Sequence, residues 1–203
     1  MARSRSTVGE LLYWCYANLA MAHAALDGGA TAYGRQHYMV RTRLLNGLTE
    51  GTMTVGSLVD DDRLKLVLPR ACCYCGAGER LSVDHLIPVS RGGPESADNI
   101  VWACAPCNSS KGAGDVLRWY AGRREFPPLL LLRRYLKLAI GYCAARNLLG
   151  TPLAELPEIP FDLASVPESF PPPGELILWR VPLGGGPGSQ ATEPGAAADG
   201  GSV

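Results

Sequence analysis

The residues of this sequence best suited to chemistry lie between Cys72 and Gly112. Two CxxC pairs, Cys72 with Cys75 and Cys104 with Cys107, have 28 residues between Cys75 and Cys104. Each pair can wrap a tight turn around an ion and offer it two sulfurs from one side, so the four together suit one tetrahedral zinc. Such a closed, all-sulfur site is structural and says nothing about function by itself. Redox-active or oxidised pairs are the alternative, but four of seven cysteines arranged in this way favour metal in a reducing compartment. Cys73 falls outside the set, and Cys15 and Cys143 sit in helical patterns as buried thiols.

The segment between the pairs is longer than the roughly 15 to 20 residues of a plain zinc ribbon. It carries Asp84, His85 and Asn99, and Asn108 directly follows the last cysteine. Hydrolysis of a phosphodiester needs an activated water, a cation to meet the developing charge, and groups that hold both in place. Histidine ordinarily titrates near neutral pH, so a neutral imidazole at His85 can take a proton from water. Asp84 and Asn108 are oxygen donors, the type that suits magnesium or manganese rather than zinc. Successive side chains on a strand face opposite ways, so Asp84 and His85 share a site only if the strand is distorted or ends there. Pro88 and the run Arg91, Gly92, Gly93, Pro94 agree with an early strand end and a loop. Asn99 precedes "IVWAC", which reads as the returning strand, and its amide can bridge the loop to the His-bearing segment. Asn108 and Lys111 fall in the first turns of a helix, where backbone N–H groups and the positive dipole end favour a phosphate. Arg91 can reach the same phosphates from the loop. Singly, each residue has an ordinary reading: Asp84 as a turn cap, His85 as a packed core residue, Asn99 and Asn108 as Asx-turn residues.

Together, "CCYCG", "SVDHLIPVSRGG", "ADNIVWAC" and "APCNSSKG" resemble the HNH nuclease family in its zinc-stapled form, over Cys72 to Gly112. The resemblance implies a ββα-metal fold, two strands and a helix around one divalent cation. It implies His85 as general base, Asp84 as a metal ligand and Asn99 as the residue that steadies the catalytic loop. Asn108 stands where the family name has its last His. That variant resembles the HNN pattern of many active members and implies an oxygen ligand to magnesium, with the preferred metal left open. The implied activity is a metal-dependent endonuclease acting on DNA, with structural zinc and with magnesium or manganese at the reaction centre. Rival readings are a zinc-stabilised nucleic-acid-binding protein without turnover, and an RNA nuclease.

The elements that must position these residues give an α+β class: a small ββα-metal module flanked by α-helices. Thr7 to Glu10 has the form of a capping box, and a helix runs from there through Leu26 to Gly28 and Gly29. A second helix is expected from about Tyr33 to Leu48, where Arg35, Arg41 and Arg43 suit either a solvated face or phosphate. The Asp60 to Asp62 run reads as a helix start or loop. Asp115 can cap a helix through about Arg124, Pro127 and Pro128 break it, and a long helix runs from Leu129 to Leu149, ended by Gly150. The regions are then 1–62, helical; 63–114, the module; 115–150, helical; and 151–203, a Pro- and Gly-rich acidic tail, largely disordered, with almost nothing to bury from Gly184 on.

Composition bounds the rest. The 203 residues are 47% hydrophobic, enough for a real core, and formal net charge is zero. Zero hides an asymmetry: residues 63–137 carry twelve Lys or Arg against six acids, and 151–203 carry one Arg against seven. A basic body of this kind suits a nucleic-acid partner. The apolar stretch from Leu11 to Leu26 is interrupted by Asn18 and His23 and is short for a membrane span, so a cytoplasmic protein with no membrane partner is expected. The flanking helices are compatible with a homodimer or with simple completion of the core.

Overall fold

A computed structural model describes residues 5–56 and 70–181. The Asp60 to Asp62 run and the chain from Gly184 lie outside the described residues. Among the described residues, five α-helices and one two-stranded sheet form an α+β fold.

Helix α1 (Val8–Asp27) opens with the expected capping box: Thr7 Oγ1 accepts from Glu10 N at 3.3 Å, and Glu10 Oε2 accepts from the backbone N–H groups of Ser6 (2.8 Å) and Thr7 (3.3 Å). Helix α2 (Arg35–Thr49) begins after Gly34, whose N–H donates to His37 Nδ1 at 2.9 Å, and it packs along α1. The sheet is a hairpin of β1 (Leu81–His85) and β2 (Ile100–Cys104), antiparallel, with Leu81 opposite Cys104 and His85 opposite Ile100. The chain turns at once into α3 (Ala105–Lys111), which has Pro106 in its first turn and packs against both strands. Pro is suited there because its missing N–H would have no intrahelical partner.

Asp115 caps α4 (Val116–Gly122), its carboxylate accepting from the N–H groups of Leu117 (2.8 Å) and Arg118 (3.3 Å). Helix α5 (Leu129–Ala145) starts where expected, behind Pro128, but ends before Leu149. Asn147 takes a left-handed φ of 57°, and the N–H of Leu148 returns to Cys143 O at 2.8 Å. An asparagine tolerates that conformation, so the helix is terminated before Gly150 is reached.

The expectation of a largely disordered chain from 151 onward is corrected over 151–181. Val8 N donates to Thr151 O and Leu153 N to Ser6 O, tying the strap to the start of α1. Leu129 and Leu130 then donate to the carbonyls of Ile177 and Leu178. Phe161, Leu163, Val166 and Leu176 are buried, and Phe161 packs edge-on against Tyr135 and Tyr142. Proline lacks an N–H and presets φ, so a strap of this composition can be ordered by spaced apolar anchors with only short 3-10 turns, Leu153–Glu155, Leu163–Ser165 and Pro173–Glu175. A single core cluster joins α1, the cysteine turn, the loop after β1, α4, α5 and this strap.

Candidate functional site

The first CxxC sits in the turn leading to β1. Cys72 N donates to Ala77 O and Gly76 N to Cys72 O, both at 2.8 Å, with Gly76 at φ +85°. The second pair straddles the β2–α3 junction: Cys104 caps the helix and Cys107 lies in its first turn. The sulfurs of Cys72, Cys75, Cys104 and Cys107 all lie within 4.8 Å of one another, with Cys75 and Cys104 at 3.6 Å. Tetrahedral zinc with Zn–S near 2.3 Å puts its sulfurs about 3.8 Å apart, so the donor set and its spacing fit such an ion. Burial raises the thiols of Cys75 and Cys107, and the backbone N–H of Cys107 lowers that of Cys104. Cys73 is buried outside the set, and its N–H donates to Trp102 O, which fastens the turn to β2.

Alternation along β1 puts Ser82 and Asp84 on the face that α3 covers. Asn108 Nδ2 donates to Ser82 Oγ at 3.0 Å and lies 3.5 Å from Val83 O. One turn later, Lys111 Nζ donates to Asp84 Oδ1 at 3.0 Å. The other carboxylate oxygen, Oδ2, accepts from Tyr74 OH at 2.6 Å, and Oδ1 also accepts the backbone N–H of His85 at 2.8 Å. Asp84 and Lys111 are both buried, their side chains 8% and 1% exposed. The structure therefore brings Asp84, Asn108 and Lys111 together at the β1–α3 contact.

His85 is the last residue of β1, so the strand does end where a shared site with Asp84 requires it to. Its Nε2 is buried, with no hydrogen-bond partner among the described residues. Asn99 lies behind the loop that follows, fully buried. Its Oδ1 accepts from Ile87 N at 2.9 Å, and its Nδ2 donates to Ile87 O (2.7 Å) and Pro94 O (2.8 Å). The loop between can close only because of its glycines. Gly92 holds φ +88°, and a Cβ on Gly93 would stand 2.2 Å from Ile87 O. Arg134 of α5 donates from Nε to Asp98 O, bracing the turn that carries Asn99 from the core side. Arg91 is exposed at the end of the first of the loop's two 3-10 turns.

One sequence-based expectation is corrected here. Lys111 does not stand free to meet a phosphate; it is buried in an ion pair with Asp84. The reason is helical periodicity: Lys111 follows Asn108 by three residues, so both fall on the face of α3 that packs on β1. Sequence reasoning passed over Tyr74 and Ser82. The signal for Tyr74 was its position inside the CxxC, which a turn wrapped on metal must aim toward the hairpin.

Residues 72–114 match the family model of the HNH endonucleases. No curated protein and no solved structure matches the chain. The matched segment contains the four cysteines together with Asp84, His85, Asn99, Asn108 and Lys111. It indicates a nuclease-type module with metal-binding residues. Among the described residues, no helix is long and apolar enough to cross a membrane.

Proposed function

We propose that this protein is a metal-dependent endonuclease that hydrolyses phosphodiester bonds in DNA, with 63–114 as its reaction module. The observation that carries the reading is the buried Nε2 of His85, without a partner among the described residues, on the residue that follows Asp84 at the end of β1, where α3 brings Asn108 and Lys111 onto the strand. An imidazole nitrogen left without a partner in a polar setting is poised to accept a proton.

Asp84 and Asn108 offer the oxygen donors that magnesium or manganese prefers, and these two residues would hold the ion. When bound, it would supply Lewis-acid stabilisation of the charge that grows on the leaving oxygen. The remaining work falls to the chain itself. His85 Nε2 takes the proton of the attacking water. Tyr74 orients Asp84 by holding Oδ2. Asn99 fixes the backbone at Ile87, two residues after His85, so the imidazole is carried on a restrained segment. Arg91, exposed beside this loop, contacts a neighbouring phosphate. Cys72, Cys75, Cys104 and Cys107 would hold zinc, which would supply a structural clamp between the start of the hairpin and its end.

Affinity comes mainly from phosphate contacts by the basic middle of the chain and falls with salt. One such site cuts one strand per encounter, and the reading does not call on a second copy. Four reduced cysteines arranged for zinc support a reducing compartment such as the cytoplasm. The test is a parallel panel of duplex DNA, single-stranded DNA and RNA, each with magnesium and with manganese. Cleavage of DNA in preference to RNA supports the reading. Preferential RNA cleavage would reassign the substrate, and inertness across the panel with retained binding would favour a module that binds without turnover.

A further inference from the structure

Lys111 Nζ lies 3.0 Å from Asp84 Oδ1 and 3.3 Å from Gly112 O. Its side chain is 1% exposed. Asn108 lies three residues earlier, one helical turn away on the same face, with its amide on β1. The ammonium therefore occupies the side of Asp84 that faces Asn108's helix, where an ion shared by those two residues would have to bind. The other positions around the carboxylate are filled by Tyr74 OH and the N–H of His85, which are fixed parts of the turn and the strand. Among the described residues, Lys111 is the one donor to Asp84 on a flexible stem, and Gly112, at φ +52°, follows it.

We propose that Lys111 is an exchangeable counter-ion of Asp84: it neutralises the buried carboxylate in the metal-free protein and leaves Oδ1 when a divalent ion binds. This inference rests on the reading of Asp84 and Asn108 as the ion's ligands. Two cations cannot both crowd one carboxylate oxygen at a buried site, since like charges at such range repel strongly where the effective dielectric is low. A carboxylate left there with no cation would be costly, which explains why the chain supplies one of its own. Once released, the ammonium sits at the end of α3 beside the site, where it can meet substrate phosphate. The role expected of Lys111 from sequence is thereby confined to the metal-loaded state, and metal binding and substrate binding become linked through one side chain.

The test uses the full chain with its structural metal in place and Mn2+ as probe, followed by calorimetry and by the electron paramagnetic resonance signal of free Mn2+. Lys111→Gln and Lys111→Met are expected to bind Mn2+ at least tenfold more tightly than wild type, because no ammonium has to be displaced. Equal or weaker binding by folded variants overturns the inference. If both variants fail to fold, acylation of Lys111 in the wild type, quantified by mass spectrometry, replaces them. Lys111 should be protected without divalent metal and modified severalfold faster with it; equal reactivity overturns the proposal. Asp84→Asn separates the two readings. Mn2+ binding that is lost in Asp84→Asn but unchanged in Lys111→Gln sinks the exchange alone. No Mn2+ binding by wild type or any variant sinks the ligand assignment, and the exchange with it.

Discussion

Asn99 uses both ends of its amide on the loop between β1 and β2, and no water can replace what it does because the side chain is fully buried. Asn99→Ala leaves Ile87 N, Ile87 O and Pro94 O without these partners, which by the usual cost of buried orphans destabilises by about 3 kcal/mol or more. Urea unfolding measures this, and a change under about 1 kcal/mol would show that the clamp is dispensable. The bridge from Asn99 to the His-bearing segment was legible in the sequence, because an Asn ahead of a returning strand has few other places to send its amide. The pairing of Lys111 was not. A lysine three residues after Asn108 reads equally as a phosphate contact or a solvated charge, and only the burial of α3's last turn against Asp84 decides between them. Tyr74 was hidden for a similar reason: its hydroxyl finds Asp84 across a turn whose path depends on the cysteines.

At the scale of elements, the four-cysteine site joins the turn before β1 to the junction of β2 and α3. A hairpin of five-residue strands has little burial of its own, so its closure depends on that clasp. Chelation of the metal, or Cys104→Ser, is expected to lower the thermal midpoint by roughly 10 °C or more. An unchanged midpoint would mean the sulfurs hold no structural ion. A second junction, between α4, α5 and the strap, is polar. Asp162 Oδ2 accepts from Arg118 Nε at 2.6 Å and Ser165 Oγ at 2.8 Å, while Asp162 N donates to Asp115 Oδ2 at 3.1 Å. Burial alone would raise the Asp162 carboxyl, but these hydrogen bonds and the Arg118 charge win and hold it below its ordinary 3.8. A depressed carboxyl contributes stability that is present above its unfolded value and lost as pH falls through the folded one. The Asp162 contribution is thus constant from neutrality to about pH 4 and disappears below that. Asp162→Asn should flatten that acid limb in pH-dependent unfolding; an unaltered limb would contradict the assignment. Helix starts were legible here from Thr7, Asp115 and Pro128. The end of α5 was not, because Asn147 competes with Gly150 for the left-handed turn and only the contact of Leu149 O with Gly9 N, at 2.7 Å, shows which one the packing prefers.

At the scale of the molecule, the Pro-rich composition from 151 onward concealed the strap, since its apolar residues are too widely spaced to show a period. Phe161, Leu163, Val166 and Leu176 nevertheless reach the same core as the module and the helices. Removal of 184–203, which is mostly Gly, Pro, Ala and Ser with little to bury, is expected to leave folding and cleavage intact. Removal of 151–203 should abolish the cooperative thermal transition; a shortened chain of 150 residues that melts like the parent would show that the strap is dispensable. The proposed function rests on one arrangement: His85 and Asp84 at the end of β1, with Asn108 of α3 bonded to the same strand, on a hairpin whose ends meet in the four-cysteine cluster. The measurement that reaches it most directly compares wild type and His85→Ala for conversion of supercoiled to nicked plasmid with magnesium and with manganese, with DNA binding followed in parallel. The arrangement predicts nicking by wild type and a variant that binds equally well but cuts at least a hundredfold more slowly, on the order expected for loss of a general base. Equal rates of nicking in the two proteins would contradict it.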